Sequence, residues 1–90
     1  MIKKLVSMPY AQAKVEILNC DTVILVSYTT QVVIIKDGWL TCYGLYSMTT
    51  RKHISAFLKE YAPMISFNTA KLSYLQNFSI NIHTGEIIDR

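Results

Sequence analysis

Three hydroxyl side chains, Ser47, Thr49 and Thr50, stand beside two cations, Arg51 and Lys52, at the head of an amphipathic segment. Together with the free N–H groups of a helix start, this is the kind of set that holds a phosphate, a carboxylate or an acidic partner. It is also the wrong sign for a helix start. The macrodipole puts its positive pole there, so acidic residues are favoured and cations cost roughly a few tenths of a kcal/mol. The plainer reading is that one hydroxyl caps the helix while Arg51 and Lys52 point into water or pair with a carboxylate elsewhere.

His53 follows on the border of the apolar stripe. A histidine there is more often a hydrogen-bonding tie between helix and sheet than a catalyst, which needs a nucleophile at fixed geometry. Cys20, Cys42, His53 and His83 would suffice in number for a structural zinc. No Cys-x-x-Cys or His-x-x-x-His pair brings two of them together, so neither a metal nor another cofactor is expected. Tyr10, Tyr28, Tyr43, Tyr46, Tyr61 and Tyr74, with Trp39, could stack on bases or anchor a protein partner if several share an exposed sheet face. Otherwise they fill the core or its border.

The elements that must position these groups fit in 90 residues, enough for one domain with a single modest core and too few for a separate catalytic lobe. With 51% hydrophobic residues the chain is not of the disordered class. The longest uncharged stretches, 22–35 and 72–85, fall short of the ~20 apolar residues that cross a bilayer. Ala11-Gln12-Ala13 imitates a signal-peptide cleavage site, but the apolar centre before it is short and broken by Ser7, Pro9 and Tyr10. Two cysteines make no disulfide framework, and free thiols in the cytosol are the expectation. A net charge of +3 is mild for a nucleic-acid binder.

Between Lys14 and Tyr43 the pattern is that of strands. Val15 and Ile17 alternate with Lys14 and Glu16, and Asn19-Cys20-Asp21 supplies a turn. The run 22–26 is continuously apolar, as in an inner strand covered on both faces or one whose outer face meets a partner. Tyr28-Thr29-Thr30 breaks it, and Gln31–Lys36 resumes it. Asp37-Gly38 suits a two-residue turn whose central positions both need positive φ. The returning strand, Trp39–Tyr43, puts Trp39, Thr41 and Tyr43 on one face, and Gly44 ends it. Ile54, Phe57, Leu58 and Tyr61 then form a narrow apolar helical stripe, with Lys52, Lys59 and Glu60 opposite and Pro63 as the stop. After it, Asn68 or Thr69 caps a short helix through Leu72 and Leu75, and Phe78–Ile82 with Glu86–Ile88 reads as a hairpin turning at Thr84-Gly85.

Ser27-Tyr28, followed by Ser47-Met48-Thr49-Thr50-Arg51-Lys52-His53-Ile54, resembles a family of short uncharacterised proteins encoded mainly by bacteriophages and other mobile elements. The shared pattern is a Ser-Tyr strand end, a hairpin, and Ser-x-Thr-Thr-x-x-His-Ile opening a helix. Phe57 stands where that family often has Trp. The resemblance covers about the middle half of the chain and brings no established activity. It implies a phage or mobile-element origin and a strand–strand–strand–helix core.

The expected architecture is an α+β domain. An antiparallel meander of three or four strands from Lys14 to Tyr43 packs on a main helix at Thr50–Tyr61, with a smaller C-terminal helix and hairpin. The expected function is non-enzymatic binding of a host protein in the bacterial cytoplasm, as an inhibitor of a defence or nucleoprotein complex, with no membrane involved. The partner-facing residues would be Ser47, Thr49, Thr50, Arg51 and Lys52, with His53, Ile54 and Phe57 structural. The alternatives are a nucleic-acid-binding module using Lys3, Lys4, Arg51, Lys52 and sheet aromatics, and, further off, an enzyme centred on His53. Apolar strands with an uncovered edge or face also make a homodimer plausible.

Overall fold

The computed structural model describes residues 1–43, 47–75 and 77–89, without the side chains of residues 71, 72, 74 and 75. Gly44 as the sheet end, Tyr46, and the side chains of Leu72, Tyr74 and Leu75 therefore lie outside the described residues. Four strands carry the middle of the sheet: β2 (Ala13–Asn19), β3 (Thr22–Ser27), β4 (Thr30–Lys36) and β5 (Trp39–Cys42). Each pairs antiparallel with the next, with Val15 opposite Leu25, Leu25 opposite Val33, and Val33 opposite Cys42. Because side chains alternate across a strand, this register gathers Ala13, Val15, Leu25, Val33, Leu40 and Cys42 on one face.

Local chemistry sets the turns. Asp37 and Gly38 have φ of 53° and 81°, the positive values that their two-residue connection requires. The break at Tyr28 is an equally tight turn. Tyr28 sits at φ 58° without the help of a glycine, which is unusual for a bulky residue.

The expected three or four strands understate the sheet. β1 (Ile2–Lys3) adds to the free edge of β2, and the C-terminal hairpin of β6 (Phe78–Asn81) and β7 (Ile87–Asp89) does not stand apart. Leu40 of β5 pairs with Ile80 of β6, so one seven-stranded antiparallel sheet runs in chain order from β1 to β7. Each addition satisfies backbone N–H and C=O groups that a shorter sheet would leave open along β2 and β5. The apolar runs of β3 and β4 lie inside the sheet, and its edges are only two and three residues long.

Helix α1 spans Met48–Tyr61, two residues more than expected at its start, and α2 spans Phe67–Leu75. Ser47 caps α1, with its Oγ accepting the Thr50 N–H at 3.1 Å. At the other end the Ala62 N–H returns to the Leu58 carbonyl at 2.8 Å, and Pro63 follows. The cap of α2 is Ser66, whose Oγ accepts the Thr69 N–H at 3.2 Å, rather than Asn68 or Thr69. Ser66 precedes a phenylalanine that starts the helix, so the hydroxyl lies one turn earlier than the apolar pattern suggested.

The helices pack on the face that gathers Val15, Leu25, Val33 and Cys42, and Ile54, Phe57 and Leu58 complete its core. Leu5, in the loop before β2, is fully buried in the same cluster, and the Val6 N–H donates to Glu60 Oε2 at 3.0 Å to hold that loop against α1. Ser73 of α2 bridges two strands, accepting the Cys42 N–H at 3.0 Å and donating to the Phe78 carbonyl at 2.6 Å. The other face carries Lys14, Glu16, Gln31 and Ile34 around Ile24 and Val26. Those two apolar residues are buried although they lie outside the main core cluster. The aliphatic stems of the long side chains beside them shield such positions on an open sheet face.

Candidate functional site

Thr50, His53, Ile54 and Phe57 are spaced at i, i+3, i+4 and i+7, so they share the face of α1 that meets the sheet. Ile54 and Phe57 enter the core. Thr50 and His53, one turn nearer the N-terminus, meet the end of β3 instead. There Ser27 points to the same side as Leu25, two residues earlier. Its Oγ lies 3.0 Å from Thr50 Oγ1 and 2.9 Å from His53 Nδ1. Ser47 closes the set, its hydroxyl donating to Thr50 Oγ1 at 3.2 Å.

These residues form one hydrogen-bonded chain from the surface to the interior. Ser47 is exposed, whereas Thr50, Ser27 and His53 are 3%, 2% and 1% accessible. No buried polar side-chain atom among the described residues lacks a partner. Ser27 and Thr50 hydroxyls can each donate or accept along this chain, and the role of His53 Nδ1 follows its tautomer. Burial pushes His53 below its ordinary pKa, which keeps the ring neutral. The Tyr28 ring is tilted over it, 6.0 Å between centroids, while remaining half exposed.

A serine 2.9 Å from a histidine is the contact of a nucleophile and its base. Here both are sealed inside the junction, and a reacting group needs space beside them. A hollow of about 220 Å³ between Ala11, Gln12, Ala13, Lys14 and Tyr28 is lined by neither. A larger cleft of about 550 Å³ lies among the turns that follow β2, β4 and β6, lined by Cys20, Asp21, Asp37, Tyr61 and His83 among others. Among the described residues no three His, Cys, Asp or Glu side chains are grouped as metal ligands. Cys20 is exposed and Cys42 buried, so these two thiols do not share an environment.

Of the five residues expected to face a partner, the structure separates one. Thr50 turns inward and is consumed by the junction, because the capping geometry that exposes Ser47 carries the residue three positions on toward the sheet. Ser47, Thr49, Arg51 and Lys52 remain on the outside with Met48. Arg51 and Lys52 have no ion-pair partner among the described residues. The tyrosines with described side chains do not gather on one face. Tyr61 stacks on Phe57 at 5.0 Å, Tyr10 projects from the loop before β2, and Tyr28 lies at the α1 start.

Ser27 carried no signal of its own in composition or periodicity, and only the Ser-Tyr resemblance singled it out. Leu5 and Ser73 were missed. A lone leucine between polar residues has no period, and a serine inside a short helix looks like a surface residue.

A family model described as "Family of unknown function (DUF8033)" matches residues 3–81, from β1 through β6, and the chain belongs to that family. No curated protein and no solved structure matches the chain.

No helix in the described residues is long and apolar enough to cross a membrane.

Proposed function

We propose that this member of a family of unknown function is a non-enzymatic binding protein that meets its partner through the first turn of α1 and the adjoining Tyr28. One observation carries the reading: Met48, Arg51 and Lys52 stand exposed, the two cations without an ion-pair partner among the described residues, beside a buried hydrogen-bonded junction that holds their helix start in place. Tyrosine, methionine and arginine are the residue types enriched at protein interfaces, and rigid presentation lowers the entropy lost on binding. The sealing of Ser27 and His53 supports a structural role for the pair that would otherwise suggest catalysis. The partner class follows from the resemblance to phage and mobile-element proteins. It is a bacterial host protein met in the cytoplasm, within a defence or nucleoprotein complex. The outer strands of the described sheet, β1 and β7, are two and three residues long and offer little edge for self-association by strand pairing.

The test is affinity purification from host cells with the wild-type protein and a Met48→Ala/Arg51→Ala/Lys52→Ala variant of matched thermal stability. A defined protein partner recovered by the wild type and lost by the variant is expected. Equal recovery by both, or none by either, overturns the proposal. The same exposed cations favour a second reading, nucleic-acid binding. In that case affinity falls steeply with salt, and removing Arg51 and Lys52 flattens the slope of log K against log salt by about 1.8, roughly 0.9 per phosphate contact.

A further inference from the structure

We propose that the cleft of about 550 Å³ at the opposite end of β3 from Ser27 binds a small organic cation, a guanidinium or ammonium group carried on a short hydrocarbon stem. Three turns and a helix end build it. The turns after β2 and β4 supply Asp21 and Asp37, the turn after β6 supplies His83, and Tyr61 is the last residue of α1. The turns are tied in series. The Asp37 N–H donates to the Asp21 carbonyl at 2.9 Å, and the Ile82 N–H donates to the Gly38 carbonyl at 2.9 Å. The His83 ring lies against Gly38, with its Cδ2 3.5 Å from where a Cβ would stand. The cleft is therefore formed before a ligand arrives, and its size falls within the roughly 300–1,000 Å³ of small-molecule sites.

The lining sets the two halves of the ligand. Val23 and Ile35, opposite each other on β3 and β4, make a hydrocarbon floor with Ile82, which favours an apolar stem. Asp21 and Asp37 are exposed at the rim and have no ion-pair partner among the described residues. Among those residues no lysine or arginine lines the cleft, although the chain has nine of them and a net charge of +3. Lys36, next to Asp37, points to the other face of the sheet, as alternation from Ile35 requires. Because α1 ends at Tyr61 in the cleft wall, its macrodipole brings a negative pole to the same place. An aromatic ring there attracts a cation further. An anion would meet two carboxylates. A bare metal ion needs oxygen ligands on all sides, and the floor offers none. A cation on an apolar stem satisfies both halves.

The experiment uses a thiol already in place. Cys20 lines the cleft and is exposed, whereas Cys42 is buried, so the rate of alkylation by iodoacetamide at Cys20 reports occupancy. In the full chain at neutral pH and low salt, butylguanidinium should slow that rate with a Kd of about 1 mM, the scale for a ligand of its size, so that about 10 mM protects about tenfold. Pentanoate keeps the stem and reverses the charge, and guanidinium keeps the charge without the stem. Each should bind about tenfold more weakly or worse. Asn suits both turns, including the positive φ at position 37, so Asp21→Asn/Asp37→Asn removes the charges and keeps the backbone. It should weaken butylguanidinium about tenfold. No protection by about 10 mM butylguanidinium, equal protection by pentanoate or guanidinium, or an unchanged Kd in the double variant overturns the proposal. If that variant does not fold, the three probes on the wild type decide alone. None of these arms involves the α1 start, so the result is independent of the partner surface proposed there.

Discussion

Replacing Ser27 with Ala removes one hydroxyl and breaks two contacts, those to Thr50 Oγ1 at 3.0 Å and to His53 Nδ1 at 2.9 Å. Both partners lie in a site almost closed to water, so neither is rehydrated without opening the junction. A buried polar group left unpaired costs about 1–3 kcal/mol, and two such groups, partly relieved by local adjustment, bring the expected loss to about 2–4 kcal/mol. For a domain of this size that lowers Tm by roughly 10–30 °C. Thr50→Val keeps the shape and removes the middle of the chain, at an expected cost of about 1–2 kcal/mol, since exposed Ser47 can turn to water. The double variant leaves fewer orphaned groups than the two single changes together. Its loss should therefore fall short of their sum by about 1 kcal/mol. Urea unfolding followed by circular dichroism at pH 7.5, where His53 is neutral, measures all three. A loss below about 1 kcal/mol for Ser27→Ala, or strict additivity, would refute a cooperative buried chain.

Two further outcomes are expected. Arg51→Glu and Lys52→Glu should each raise stability by roughly 0.3–1 kcal/mol, because they put acid at the positive pole of α1 while breaking no ion pair among the described residues. The same unfolding assay reads this, and a loss of stability would mean that these side chains hold something in the folded protein. Leu5→Ala should cost about 2–5 kcal/mol, as for a core leucine, although it precedes the first long strand. An effect under about 0.5 kcal/mol, the size of a surface change, would place Leu5 outside the cooperative unit.

Much of the architecture was legible because it is encoded locally. The alternation around Val15, the Asp37-Gly38 turn, the stripe through Ile54, Phe57 and Leu58, and the stop at Pro63 each depend on residues within a turn or a strand of one another. The C-terminal hairpin was legible as a hairpin, but its place beside β5 was not. Pairing is a backbone interaction, and the side-chain pattern of Phe78–Asn81 does not name its neighbour. Leu5 and Ser73 were hidden for a related reason. A single apolar or hydroxyl residue becomes a core contact only when a distant surface arrives to cover it.

The hydroxyl-rich, basic start of α1 shows where local and tertiary information divide. Sequence alone determined that a helix begins there, that a hydroxyl caps it, and that Arg51 and Lys52 oppose the macrodipole, since each follows from neighbours along the chain. Only the tertiary structure decided that Thr50 and His53 face inward to a serine 23 and 26 residues away. That meeting depends on the register of β2, β3 and β4, including the irregularity between Leu25 and Val26 that precedes Ser27. A slip of one residue would turn Ser27 to the face without helices and leave His53 with no partner, because strand side chains alternate with a period of two.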